Sequence, residues 1–297
     1  MKSYEWTKMS IEKQTITKIL IDILEDKRLP QTNIDILIDR ASGNKVLLHL
    51  LRVLNIQGSL RERQESGMRR VMSVVQVLSK FLKDYDYAFF KLIKPVSYVP
   101  ADVDLLVDAS QARRVAHEVM GLGYRVEVKD PYCITLTRGG SIIDLYVHPS
   151  LGGVIFINGQ RLLEHTCTKE FDGTEVRSLE GYAEALVAAS HAIYKERIYT
   201  LNDFFTVEEW TSKKTIRLAQ ELGCEDALRV AINLNRKIRL GLLETPYKIP
   251  VPLWLAMLMR KFQKDNLTRA TSVGILKTLT NRRAGKLLIS KLTRETY

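Results

Sequence analysis

The sequence has little cysteine and no long apolar run, and both absences narrow the kinds of protein it can encode. Its cysteines are odd in number and far apart (Cys133, Cys167 and Cys224). This spacing argues against a disulfide framework and against a zinc site, and it predicts a reduced, cytoplasmic setting. No apolar run reaches the ~18–20 residues that cross a bilayer. The first residues also lack the apolar segment of a signal peptide, so we expect no membrane partner.

Several motifs of well-known sites are also missing. The chain contains no G-x-G-x-x-G or G-x-x-x-x-G-K phosphate loop,. It contains neither the HExxH pattern of zinc proteases nor a nucleophile elbow,. The sequence therefore gives no support to a dinucleotide-binding enzyme, a P-loop enzyme, a zinc protease or a serine hydrolase.

The chain is long and apolar enough to build a substantial core. It has 297 residues, of which 45% are hydrophobic and 27% charged, and this fits one large or two medium domains,. The formal net charge is +11. From Arg260 to Tyr297 there are ten Lys or Arg against two acids, a local charge of +8. Such a tail is compatible with a nucleic-acid partner, and equally with a solvated basic helix pair.

Hydrophobic periodicity divides the chain into three regions. Residues 1–85 and 179–297 have apolar positions at helical spacing, and the second of these regions carries the basic tail,. Residues 86–157 predict the order strand, strand, helix, strand, strand, strand, which is an α+β sheet with antiparallel hairpins. We expect residues 86–178 to form this domain, with 158–178 as a polar connector. The first short helices could form a DNA-binding helix-turn-helix, although a small packing bundle explains them as well.

Carboxylates are concentrated on two of the predicted strands. Asp102 directly precedes the apolar run Val103–Val107, and Asp104 is the second residue of that run. Residues two apart in a strand share a face. Asp144 interrupts another apolar strand, where an isolated buried carboxylate would be costly,. If the two strands are neighbours, the three carboxylates form one cluster. Such a cluster can hold two Mg²⁺ (or Mn²⁺) ions ~4 Å apart.

A site of this kind suits the transfer of a nucleoside monophosphate from an NTP to an acceptor. In that scheme Asp102 and Asp104 bind or share both ions. Asp144 binds the catalytic ion and helps to deprotonate the attacking hydroxyl. Catalysis then depends on positioning and electrostatic stabilisation more than on covalent chemistry. The sequence does not indicate the acceptor.

The pattern around these residues resembles the nucleotidyltransferase (DNA polymerase beta-like) superfamily. It is closest to the uncharacterised prokaryotic nucleotidyltransferase family with a DIDLLV motif. The similar residues are Asp102–Val107 (DVDLLV), a helix ending in Gly-Tyr, a hairpin, and the IDLYVHP run around Asp144. The resemblance covers about residues 68–210. It implies a nucleotidyltransferase-like sheet flanked by helical regions, a magnesium-dependent activity, and an NTP substrate, with ATP as the first candidate.

The resemblance also implies roles for residues outside the carboxylate cluster. Lys91 falls where that family has Lys-Gly. His191 and Asp203 match the family's helical His and Leu-x-Asp, and the match makes His191 and Asp203 candidate substrate contacts. For His191 and Asp203, a helix-packing hydrogen bond is the structural alternative. His148 near the Asp144 strand is more often structural than functional.

The turn after the first strand departs from the superfamily. It lacks the Gly-Ser or Gly-Gly whose amides and hydroxyl hold the triphosphate. Lys91, Lys94 and Ser97 could supply these contacts instead,. Alternatively, nucleotide binding has decayed, and the chain is a nucleic-acid-binding or regulatory module that keeps the fold.

Overall fold

The structure is a computed structural model that describes residues 15–26 and 32–272. Helices come first in the described chain: α1 (Ile16–Asp26), α2 (Ile34–Gly43), α3 (Leu47–Val53) and α4 (Ser59–Phe81). The α+β region follows with β1 (Tyr87–Phe89), β2 (Val103–Val107), α5 (Ala112–Gly121), β3 (Arg125–Asp130), β4 (Cys133–Arg138), β5 (Ser141–Tyr146), β6 (Ser150–Leu151), β7 (Val154–Ile155), α6 (Gly159–Leu163), β8 (Thr166–Phe171) and β9 (Thr174–Leu179).

The remainder of the described chain is again mostly helical. It comprises α7 (Gly181–Ser190), a π-helical turn (His191–Glu196), β10 (Ile198–Tyr199), α8 (Leu201–Trp210), α9 (Lys213–Glu221), α10 (Glu225–Arg239), β11 (Tyr247–Lys248), α11 (Val251–Lys264) and α12 (Asn266–Thr271). The sequence predicts one continuous helix to Lys195, whereas the π-turn interrupts it after Ser190. Most of the basic tail, residues 273–297, lies outside the described residues.

Seven strands form one mixed sheet in the order β3-β4-β5-β2-β1-β9-β8. β2 pairs antiparallel with β1 and parallel with β5. The predicted α+β class is confirmed, and so is the prediction that the strands carrying Asp104 and Asp144 are neighbours. The parallel pairing places these two residues directly opposite each other.

The prediction that residues 158–178 form a polar connector is wrong. This stretch contains α6 and most of the β8–β9 hairpin, which extends the sheet beyond β1. The hairpin turn is Asp172-Gly173, and both residues have positive φ, 48° and 79°. Asp-Gly is a strong hairpin signal because a two-residue type I′ turn requires positive φ at both of its central positions. The strands on either side of this turn are largely polar, and for that reason the stretch resembles a connector in the sequence.

The first strand is shorter than predicted. The apolar run reaches Ile93, but β1 ends at Phe89 because the backbone turns at Lys91 into the left-handed region, with φ 59°. The loop that follows leads into β2 and lines a cavity together with Asp102 and Asp104.

Each face of the sheet covers its own hydrophobic core. Leu105 on β2 packs into one core together with α4 and α5. The next residue, Leu106, points to the opposite face and packs into the other. This alternation is the ordinary consequence of the strand's two-residue period. The second core is shared by the N-terminal helices α1 to α3 and the C-terminal helices α7 to α11.

Asn44 joins these two groups of helices at the end of α2. It is fully buried. Its side-chain oxygen accepts a hydrogen bond from Leu201 N at 3.0 Å, and its amide donates to Thr245 O at 3.0 Å. The N-terminal helices are therefore fixed against α8, so that they form a wall opposite the carboxylate-bearing strands.

Helix α6 packs tightly against the ends of β2 and β5. Gln160 donates from its amide to Val107 O at 3.2 Å and to Val147 O at 3.1 Å. A Cβ at Gly159 would lie only 2.2 Å from Val147 O and 2.8 Å from Leu106 Cδ1. The close approach of helix and strand thus requires glycine.

Gly159→Ala is therefore expected to lower the free energy of unfolding by about 3 kcal/mol or more, because the clashing atom is backbone and cannot turn aside. Gly121→Ala is the matched control, since a Cβ there meets nothing within 4 Å. It should change stability by no more than about 1 kcal/mol, in the stabilising direction. Urea unfolding of both variants provides the comparison, and equal midpoints would contradict the packing described.

All three cysteines are free, with Cys224 buried and the other two partly buried. Among the described residues, no helix is both long and apolar enough to cross a membrane.

Candidate metal and nucleotide site

The three predicted carboxylates come together at the sheet. Asp102, Asp104 and Asp144 each offer an oxygen, and these atoms lie within 4.8 Å of one another. Asp104 is 5% exposed, whereas the other two are partly buried. Asp104 lies on β2 and Asp102 in the bend just before it, and the β2–β5 register adds Asp144.

This donor set fits a hard divalent cation. Three negative charges so close together repel each other, and burial raises the free energy needed to keep all three ionised. Among the described residues, the buried Oδ1 of Asp104 is offset by a single ammonium, that of Lys91 at 2.8 Å. Oxygen donors without nitrogen or sulfur partners are those that Mg²⁺ and Mn²⁺ prefer. The residues present therefore suit such an ion.

Lys91 reaches into the cluster from the turn after β1. Its Nζ lies 2.8 Å from Asp104 Oδ1, and the side chain is 16% exposed. Burial raises the pKa of Asp104 to about 7, although the Lys91 ammonium favours the carboxylate. Burial also opposes the charge on Lys91, but the negative charges of Asp104 and Asp102 outweigh it and raise the pKa of that lysine. The ammonium thus stays charged at neutral pH.

Glu184 on α7 fixes the turn that carries Lys91. It is fully buried. Its Oε1 accepts a hydrogen bond from Lys91 N at 2.7 Å, and its Oε2 lies 3.3 Å from Lys94 Nζ. The hydroxyl of Tyr98 donates to Lys91 O. These contacts hold a left-handed backbone at a residue that is not glycine, where the conformation costs free energy.

Asp144 is oriented by its own partners. Thr135 Oγ1 on β4 donates to Asp144 Oδ1 at 2.6 Å, and Tyr146 OH donates to Oδ2 at 3.3 Å. Lys195 Nζ, from the π-turn, donates to Tyr146 OH at 3.0 Å. π-Turns inside helices often occur at functional sites. Here the turn carries both His191 and Lys195 towards the carboxylates.

A cavity of about 580 Å³ opens beside the cluster. Its walls come from the N-terminal helices, the sheet, the loop before β2, and the α7–α8 region. Four lysines line it: Lys45, Lys91, Lys94 and Lys195. Burial lowers the pKa of Lys45, against the attraction of Asp203 and Glu196. The volume and the mixture of carboxylates and ammonium groups suit a phosphorylated ligand with its counter-cation.

Most of the predicted site residues line this cavity. Asp102 and Asp104, Lys91 and Lys94, and His191 and Asp203 all do. One oxygen of Asp203 also caps α8 through Thr200 N and Oγ1, so the packing alternative holds for that oxygen. His191 Nε2 lies 3.6 Å from Glu196 Oε1.

Asp144 belongs to the carboxylate cluster but is not among the lining residues of the cavity. Two other residues lie elsewhere. Ser97 is not among the lining residues of the cavity. Its hydroxyl accepts a hydrogen bond from Arg52 Nη1 at 3.2 Å, in a separate depression. His148 accepts a hydrogen bond from Gly159 N at 2.9 Å, and this supports the structural role expected for it.

Comparison with known proteins adds little to this description. The sequence matches no protein-family model and no curated protein. Among solved structures, the chain is similar to a crystal structure of ANT(2'')-Ia in complex with adenylyl-2''-tobramycin. That match has a TM-score of 0.31 and 14% identity over 56% of this chain and 96% of the other. A solution structure of the antibiotic-resistance factor ANT(2'')-Ia matches with a TM-score of 0.30 and 13% identity over 60% and 96%. The functional interpretation of this chain therefore rests on the geometry of the site itself.

Sequence reasoning missed several residues of the site, among them Lys45, Glu184, Lys195, Thr135 and Tyr146. Glu184 had a usable signal, because it is an acid within an otherwise apolar and small-residue helix, GYAEALVAAS, whose residues from Ala183 onward are all buried. Lys45 and Lys195 had none, since each is an ordinary lysine in a helical region and only the fold brings it to the cavity.

Proposed function

We propose that this chain is a metal-dependent nucleotidyltransferase that transfers a nucleoside monophosphate from an NTP, such as ATP, to an acceptor hydroxyl. The observation that carries the proposal is the cluster of Asp102, Asp104 and Asp144 at a lysine-lined cavity. The sequence resemblance described above, which includes the residues around these carboxylates, also supports it. In this reaction the acceptor oxygen bonds to the α-phosphorus while the bond to the departing pyrophosphate breaks.

The carboxylates would hold Mg²⁺ or Mn²⁺. A divalent cation bound there would neutralise charge on the triphosphate and lower the pKa of the attacking hydroxyl. Asp144 is the group that accepts the hydroxyl proton. Thr135 and Tyr146 hold its two oxygens in place, so the carboxylate loses little freedom when it acts,.

The lysines of the cavity would bind the phosphate chain. Lys94, Lys45 and Lys195 come from three separate elements and line the same space. Each provides a point charge for phosphate oxygens, in place of the amides of a glycine-rich turn. Ser97, which lies outside the cavity, is not part of this proposal.

His191 and Asp203 would lie on the acceptor side. Both line the cavity from the helical half of the chain, on the π-turn and α8. One Asp203 oxygen is committed to the α8 cap. The other oxygen and the His191 ring provide polar groups for an acceptor.

Titration calorimetry with ATP and Mg²⁺, together with pyrophosphate release from each of the four NTPs, tests the proposal. We expect metal-dependent binding of at least one NTP by the parent protein. Asp102→Asn combined with Asp104→Asn should abolish it, since the variant loses two of the three carboxylates. No metal-dependent NTP binding by the folded parent would rule out the proposed activity and leave the fold as a scaffold.

A further inference from the structure

The Lys91 ammonium occupies a defined position within the carboxylate cluster. It lies 2.8 Å from Asp104 Oδ1 and, on its other sides, 5.1 Å from the ring centroid of Phe90 and 5.4 Å from that of Tyr146. Aromatic faces attract cations at such distances. The charge is thus held by one carboxylate and two rings.

The backbone of Lys91 restricts where that ammonium can go. Its left-handed conformation is stabilised by the hydrogen bond from its N–H to buried Glu184 and by the bond from Tyr98 to its carbonyl. A surface lysine could leave the cluster freely. To leave the cluster, Lys91 would have to break an ion pair and two ring contacts. Its backbone N–H and carbonyl are also both held by hydrogen bonds.

Charge balance indicates what this ammonium does. Asp102, Asp104 and Asp144 together carry −3 when ionised. Lys91 and one divalent ion add +3 and balance them. Two divalent ions with Lys91 would add +5, and the second ion would share Asp104 with an ammonium of like charge.

We propose that Lys91 takes the place of one of the two cations of the usual two-metal scheme, so that this site binds a single divalent ion. The inference rests on the proposed function and deepens it. The proposal also explains why the turn lacks glycine. Lys91 adopts the left-handed backbone that a glycine would favour, and unlike glycine it adds a positive charge to the site. Lys94, Lys45 and Lys195 then supply the remaining charge against the triphosphate.

Metal stoichiometry tests the inference. The protein, with one equivalent of a non-hydrolysable ATP analogue, is titrated with Mn²⁺, and free Mn²⁺ is followed by electron paramagnetic resonance. The parent should bind one tight Mn²⁺, and Lys91→Met should bind two. Lys91→Arg retains the charge and should bind one. Lys129→Met, which removes an exposed lysine on β3, should also bind one. The analogue titrated alone provides the baseline.

The outcomes separate the two proposals. Two tight ions in the parent, or one in a folded Lys91→Met, would overturn the role of Lys91 and leave the nucleotidyltransferase proposal intact. No protein-dependent Mn²⁺ binding in any variant would overturn both. Circular dichroism establishes that Lys91→Met is folded. Should it not fold, Lys91→Gln replaces it, because glutamine is also neutral and can donate a hydrogen bond to Asp104.

Discussion

Asp144→Asn is expected to lower the rate of nucleotidyl transfer by about 10³-fold while it leaves metal-dependent ATP binding within a few-fold of the parent. Asp102 and Asp104 remain to hold the cation, whereas the group that accepts the hydroxyl proton is lost. Asparagine keeps the volume of the side chain and can still accept from Thr135 through its amide oxygen. The folded structure should therefore survive the substitution.

Pyrophosphate release under saturating ATP gives the rate, and titration calorimetry gives the binding. If Asp144→Asn loses binding and rate in the same proportion, Asp144 serves to bind the cation–triphosphate complex and does not act as the base. Thr135→Val is the companion variant. It removes the 2.6 Å hydrogen bond that orients Asp144 Oδ1 but leaves the carboxylate. We expect it to lower the rate by roughly 10-fold, as is usual for a residue that positions a ligand or base.

The carboxylate cluster could be predicted from sequence because its determinants are local. The two-residue period of a strand predicts that Asp102 and Asp104 share a face, and this prediction required no knowledge of the fold. Asp144 could be included because a carboxylate in an apolar strand is costly unless it has a partner. The structure confirms that the two strands are neighbours, whereas their parallel direction and the register that pairs Asp104 with Asp144 come from the structure alone.

The positive side of the site could not be predicted in the same way. The sequence predicts Lys91 as a phosphate contact, yet its position beside Asp104 depends on a left-handed backbone that sequence patterns assign to glycine,. Glu184, which is 93 residues further along the chain, stabilises this backbone conformation by accepting a hydrogen bond from Lys91 N. A single acid in a buried helix indicates that a partner exists, but it does not identify that partner. Contacts over such sequence distances arise from tertiary packing and leave no local signal.

The second large effect is expected at Glu184 itself. Glu184→Ala should lower the free energy of unfolding by about 3–5 kcal/mol, because it leaves a buried ammonium without its partner. Lys94 is that ammonium, and its side chain is 5% exposed. The Lys91 amide loses its acceptor as well. Glu175→Ala on the exposed side of β9 is the control, and it should change stability by less than about 0.5 kcal/mol,.

A double-mutant cycle distinguishes the ion pair from simple packing. Glu184→Gln keeps an acceptor for Lys91 N but removes the charge opposite Lys94, and Lys94→Met removes the ammonium. If the pair is what stabilises the turn, the double variant should be more stable than the sum of the single variants predicts, by roughly 1–3 kcal/mol. Additive effects in urea unfolding would mean that the ion pair with Lys94 does not stabilise the turn and that Glu184 acts through its other contacts. The Lys91 amide keeps an acceptor in both the Gln and the double variant. The left-handed turn should therefore persist in them, and Lys91 should still reach Asp104. Only Glu184→Ala removes that acceptor, so only in this variant should the turn be lost and Lys91 be released from Asp104.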